Sequence, residues 1–145
     1  MTALMYLERI RSRRFLAKEA QRAVKEARAD NYAIRSASAG GGSSGRSGSG
    51  DLSDLYIRLE EKELDAAKLL LELQNEQAAA QEKILAMPDD LEKAVLMGRY
   101  INGQEWQEIA EHARMSLRTI YRIHRQALES FGEIYKDFLK SKSWQ

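Results

Sequence analysis

Arg114, Arg118, Arg122 and Arg125 are the residues of this 145-residue chain whose type and spacing most readily suggest a chemistry. No acid falls between the first and the last of them. A guanidinium makes charge-assisted, often bidentate bonds with phosphate oxygens and with the major-groove edge of guanine. Four of them at helical spacing on one open face would suit base and phosphate reading. Spaced cations are also the ordinary surface of a solvated helix, so the elements that carry them must decide.

Other chemistries find little footing. The chain has no Cys, which removes disulfides, thiolate metal sites and cysteine catalysis together. His112 and His124 fall on different segments with no convergent carboxylates, so no metal site is expected. Asp89-Asp90 reads as the charged start of a helix rather than a catalytic dyad. The glycines of 40–50 lack the Lys-Ser/Thr and strand context of a phosphate-cradling loop. No nucleophile–base set is visible. An enzyme, a cofactor and a small-molecule substrate are therefore not expected.

The segments around the arginines read as two short amphipathic helices meeting at a tight connection. Trp106, Ile109 and Ala113 form the apolar face of the first, and Ala110 is a small residue that allows close helix crossing. Met115 plugs the turn, and Ser116 opens the next helix as its N-cap. Ile120, Ile123 and Ala127 face inward on that helix. A period of 3.6 then turns Leu117, Arg118, Tyr121, Arg122 and Arg125 outward. Upstream, Pro88 reads as a first-turn residue of a helix with Asp89, Asp90 and Glu92 at its positive end. Leu91, Val95, Leu96 and Tyr100 form its inner face, and Asn102-Gly103 stops it.

The rest of the chain supplies two long helices. Ala3, Tyr6, Ile10, Ala17, Ala20, Val24, Ala27 and Ile34 recur at alternating steps of three and four, interrupted by Arg13 and Asn31. That is a narrow, alanine-rich seam of coiled-coil type within a first segment, 1–35. A second segment, 51–87, repeats the pattern with Tyr56, Leu59, Ala66, Leu70, Leu73, Ala80, Ile84 and Met87, with Glu63 and Gln77 in phase. Leu52, Leu55, Leu64, Leu69, Leu71 and Leu85 are expected to widen its apolar face, Asp51 or Ser53 to cap its start, and Pro88 to end it. Between them, the Gly/Ser-rich residues 36–50 read as a flexible linker. Residues 1–35 carry nine Lys/Arg against four acids, and residues 51–88 four against nine, so the segments are complementary in charge. The expected fold is all-α: a long antiparallel, coiled-coil-like hairpin, then a helix-turn-helix domain over 88–145. After Phe131, Ile134, Tyr135, Phe138 and Leu139 keep an apolar rhythm, which Gly132 is expected to kink or break. Trp144 has no account from sequence.

Arg99-Tyr-Ile-Asn-Gly103, Trp106-Gln-Glu-Ile-Ala110 and the stretch Met115 to Leu128 resemble region 4 of sigma-70-type factors, the helix-turn-helix that reads the promoter −35 element. The whole layout, with its opening Tyr6-Leu-Glu-Arg-Ile10, is similar to a family of small phage and mobile-element transcriptional regulators. The resemblance is specific over about 45 C-terminal residues and otherwise one of layout. It implies that Ser116, Arg118 and Thr119 sit at the reading-helix N-terminus, near base edges and phosphates. It implies that Arg122 and Arg125 follow one and two turns on. Two positions depart from the pattern. Arg114 stands where Gly is usual, which requires a left-handed backbone. Glu105 stands where Ser or Thr often caps.

The resulting expectation is a sequence-specific DNA-binding regulator that reads promoter DNA with helix 116–131 through Arg114, Ser116, Leu117, Arg118, Thr119, Tyr121, Arg122 and Arg125. Double-stranded DNA is its expected partner, with RNA polymerase and a second copy as further ones. No apolar run approaches the roughly 20 residues that span a bilayer, and a cytoplasmic setting is expected. Two other readings stay open. One is a protein-interaction module of co-regulator or anti-sigma type, which the balanced charge of 89–145 favours. The other is a small terminase-type DNA-packaging subunit.

Overall fold

The computed structural model describes residues 1–39 and 49–142. Six α-helices make up its regular structure: α1 (Ala3–Ala39), α2 (Ser49–Leu85), α3 (Asp90–Leu96), α4 (Trp106–Ala113), α5 (Leu117–Ile134) and α6 (Lys136–Lys142). The all-α expectation holds. The helices of the pair reach further than expected, α1 running to Ala39 and α2 starting at Ser49. Most of the stretch read as a linker lies outside the described residues, as does Trp144. Among the described residues, no helix is long and apolar enough to cross a membrane.

The chain divides into two compact units, 16–73 and a second that joins 1–15 to 74–145. In the first, α1 and α2 pair antiparallel: Arg28 meets Glu63 at 2.9 Å, while the later Arg35 meets the earlier Glu60 at 3.7 Å and hydrogen-bonds the Tyr56 hydroxyl. The seam is the expected one. Ala17, Ala20, Val24, Ala27, Asn31 and Leu73 are buried, and Ile34, Tyr56, Leu59, Ala66 and Leu70 are half-buried. The wider apolar face is not covered. Leu55, Leu64 and Leu71 here, and Leu85 in the other unit, are exposed, Leu69 is half-buried, and the Leu52 side chain lies outside the described residues. Two helices that meet through a narrow seam cover only the residues facing it.

The other unit has two apolar clusters. One gathers Tyr6, Leu7 and Ile10 of α1, Ala80 and Ile84 of α2, Leu96, Tyr100, Phe131 and Leu139. Tyr6 stacks on Phe131 at 6.0 Å between ring centroids and meets Phe138 edge-on at 5.3 Å. The Tyr135 hydroxyl donates to the Lys83 carbonyl at 2.6 Å. Each large apolar side chain fully buried here contributes about 1.5–3 kcal/mol. The second cluster packs Val95, Ile109, Ala110, Ile120 and Ile123, with Trp106, Met115 and Leu117 at its edge.

Several local expectations need correction. Pro88 lies before α3 rather than in its first turn. Asp89 is the N-cap, its carboxylate accepting the Glu92 amide at 2.9 Å. Leu91 and Ala113 are exposed, because α3 and α4 turn other residues to the core. Gly132 does not break α5, which continues to Ile134, and the break falls at Tyr135 (φ −109°, ψ 28°). The cost of roughly 1 kcal/mol for a helical glycine is outweighed by burial of neighbouring Phe131.

Candidate nucleic-acid interface

Three elements place the arginine-bearing helix. α3 runs on into a wider π-type turn, Met97–Ile101, in which the Asn102 amide reaches back five residues to the Met97 carbonyl at 2.9 Å. Such turns are rare and recur at functional sites. Gly98 lies in it against α4: a Cβ there would stand 2.8 Å from Gln104 Oε1 and 3.3 Å from Ile109. The turn carries both Arg99 and Tyr100 into the interior. It ends at Asn102 and at Gly103, whose φ of +69° a glycine adopts without strain.

α4 starts at N-cap Glu105 without a side-chain cap. The Glu105 carboxylate is taken instead by Arg99 at 3.4 Å and Arg11 at 3.3 Å. The Arg99 guanidinium lies over the Trp106 ring, 4.5 Å from its centroid, and Trp106 meets His124 edge-on at 4.6 Å and Tyr121 at 5.3 Å. Trp106 therefore sets α4 against α5. His124 shares a 2.7 Å hydrogen bond with the Tyr100 hydroxyl. Burial, with the Arg99 charge adding to it, lowers the His124 pKa. Burial, with the Glu8 charge next, pushes the Tyr100 hydroxyl up to about 12. His112 is engaged separately, its Nδ1 lying 3.1 Å from Gln104 Nε2.

The connection from α4 to α5 is a Schellman turn. Arg114 is left-handed at φ 55° and ψ 43°. Its amide donates to the Glu111 carbonyl at 3.2 Å, and the Met115 amide to the Ala110 carbonyl at 3.0 Å. The unusual arginine thus keeps the turn a glycine would make, at a cost of about 1–2 kcal/mol. Ser116 caps α5 as expected: its Oγ accepts the Thr119 amide at 3.2 Å and lies 2.9 Å from Thr119 Oγ1. Ala110 and Ile120 are buried at the helix crossing.

The outer face of α5 brings most of the expected residues together. Arg118, Thr119, Tyr121, Arg122 and Arg125 line one open groove of about 720 Å³. Arg114 is exposed at the turn before it. Leu117 is the exception, being half-buried against the second cluster rather than turned outward. The reason is its place in the first turn of α5, where the chain still faces the α4–α5 crossing. None of the four guanidinium groups forms an ion pair or hydrogen bond within the described residues. The charge balance of 89–145 conceals a separation: the acids lie before Arg114, from Asp89 to Glu111, or after Arg125, from Glu129 to Asp137, and the stretch from Arg114 to Arg125 has none. The compact unit also includes residues 1–15, which add four arginines against Glu8 alone.

Sequence reasoning missed the roles of Arg11 and Arg99. Arg99 is a charged residue in an apolar core, where periodicity assigns no cation. A signal existed in the nearby Trp106, a partner for a stacked guanidinium. The chain matches no family model, no curated protein and no solved structure.

Proposed function

We propose that this protein is a sequence-specific DNA-binding transcriptional regulator of phage or mobile-element type, with α5 as its reading helix. One observation carries the reading: α5 buries one face and presents on the other a groove whose three guanidinium groups have no partner among the described residues. A guanidinium kept without an internal counter-charge is available to phosphate or to a guanine edge. In this reading Arg118 and Arg122 reach base edges or phosphates. Arg114 and Arg125 set register on the backbone, and Ser116 and Thr119 hold the helix start. Leu117 serves the fold rather than the groove. No catalytic step, cofactor or metal forms part of the proposal, and RNA polymerase and a second copy remain proposed partners.

A second reading, a protein-interaction module, draws support from Ile57, Leu64 and Leu71. They are exposed, and they fall at multiples of seven along α2.

The deciding experiment is selection from genomic DNA fragments with the purified protein at moderate salt, beside an Arg118→Ala/Arg122→Ala double variant. An enriched motif that the variant loses supports the regulator. A folded, helical protein that enriches nothing supports the interaction module.

A further inference from the structure

We propose that DNA contact extends beyond α5 to a second, sequence-independent phosphate site formed by Arg14 and Arg11 of α1 beside the 102–105 loop. The proposal rests on the reading of α5 given above and adds a part of the chain to it.

Arg14 lies across Gly103, so close that a Cβ on that glycine would run into its guanidinium. It is half-buried, yet among the described residues none of its five N–H donors has a partner. Ordering a long side chain costs rotamer freedom. Arg14 has no internal bond to offset that cost, which an external anion would supply. Arg11, one turn earlier, spends one contact on Glu105 and keeps the rest of its fork. Arg99 holds the other Glu105 oxygen. Two guanidinium groups thus share one carboxylate while a third lies against nearby Gly103, and the balance at the loop is positive.

The position suits a backbone contact. Arg99 stacks on Trp106, and Trp106 meets Tyr121, which lines the α5 groove, so the loop and the groove are joined by touching side chains. α4 has eight residues, about 12 Å of helix, between the loop and Arg114. The major groove of B-DNA is about 12 Å wide. Cations at the far end of α4 would stand about one groove width from the start of the reading helix, near the flanking strand. Arginines placed there would bind phosphate without reading sequence.

The test is fluorescence-anisotropy titration of the full chain on its selected duplex and on a scrambled duplex, from low to moderate salt. Wild type, Arg14→Gln, Arg14→Lys and Arg118→Ala are compared, with thermal melts of each. Arg14→Gln is expected to weaken binding by the same several-fold factor on both duplexes and to reduce the salt slope by about 1. Arg14→Lys is expected to recover most of the loss, because it keeps the charge. Arg118→Ala is expected to change the ratio between duplexes instead. Wild-type affinity and slope in Arg14→Gln, on a duplex the protein binds, would overturn the second site and leave α5 as the reader. A failure of Arg14→Lys to recover binding, with melts unchanged, would also overturn it as a charge contact. Absence of wild-type binding to any duplex would overturn both readings.

Discussion

The Tyr100 hydroxyl and His124 Nε2 lie 2.7 Å apart, joining the turn after α3 to the shoulder of α5. Trp106 closes over the same imidazole at 4.6 Å. The pair couples the orientation of the arginine-bearing helix to an imidazole whose pKa burial and the Arg99 charge lower.

That coupling gives a pH dependence with a definite sign. The His124 pKa is depressed below the ordinary imidazole value of 6.5, first by burial and then by Arg99. The unfolded chain therefore takes up this proton at higher pH than the folded one. Its contribution to stability is complete above about pH 6.5 and is lost as pH falls through the folded value. Urea denaturation between pH 7.5 and 5.5 is expected to show wild type weakening on acidification more steeply than His124→Gln. Equal slopes would disprove the coupling. At neutral pH, Tyr100→Phe is expected to cost about 1–3 kcal/mol by leaving the imidazole nitrogen without its partner.

Arg114 holds a left-handed backbone that glycine adopts freely. Arg114→Gly is expected to raise stability by about 0.5–1 kcal/mol, part of the relieved strain being offset by the looser unfolded chain. In the proposed function the same change weakens binding to all duplexes alike, since it removes a backbone contact. A melting curve and a binding isotherm on one preparation separate the two effects, and a fall in melting temperature would refute the strain argument.

The crossing of α4 and α5 depends on a small residue at Ala110 and a large one at Ile120, both buried. Ala110→Leu is expected to cost about 1–3 kcal/mol by forcing the helices apart. Ile120→Ala should cost about 2–5 kcal/mol by leaving a cavity. Denaturant titrations with unchanged m-values would check both. A neutral Ala110→Leu would mean that the helices cross elsewhere.

In the helical pair, Asn31 is buried with its Nδ2 donating to Glu63 Oε2 at 3.2 Å and its Oδ1 without a partner. A buried polar residue in a seam fixes register at a cost in stability. Asn31→Leu is expected to raise the melting temperature and to broaden the distribution of oligomeric states in sedimentation velocity. A lower melting temperature would assign Asn31 a stabilising role instead.

For the proposed reader, Arg118→Ala is expected to cost about 1–3 kcal/mol on the selected duplex and to relax preference at one base position. A uniform loss on every duplex would reassign Arg118 to the backbone, and no loss would remove it from the site.

Much of this architecture is written locally. The seams from Ala3 to Ile34 and from Tyr56 to Met87 follow from residue spacing, because helix geometry alone decides which side chains share a face. Ser116 as a cap and Arg114 as a left-handed residue are equally local, since each concerns a few adjacent peptide units. What a face meets is a different matter. Leu64 and Leu71 are as apolar as Leu73, yet only Leu73 finds a covering partner. Gly132 stays helical because Phe131 is anchored between Tyr6 and Tyr135. Arg99 is buried because Trp106, seven residues on, offers a ring. Arg11 and Arg14 reach the 102–105 loop from some ninety residues away in the chain, a distance that no local pattern records. Periodicity is set by backbone dihedrals, whereas burial is set by the shape of whatever packs opposite, and that exists only once the chain has folded.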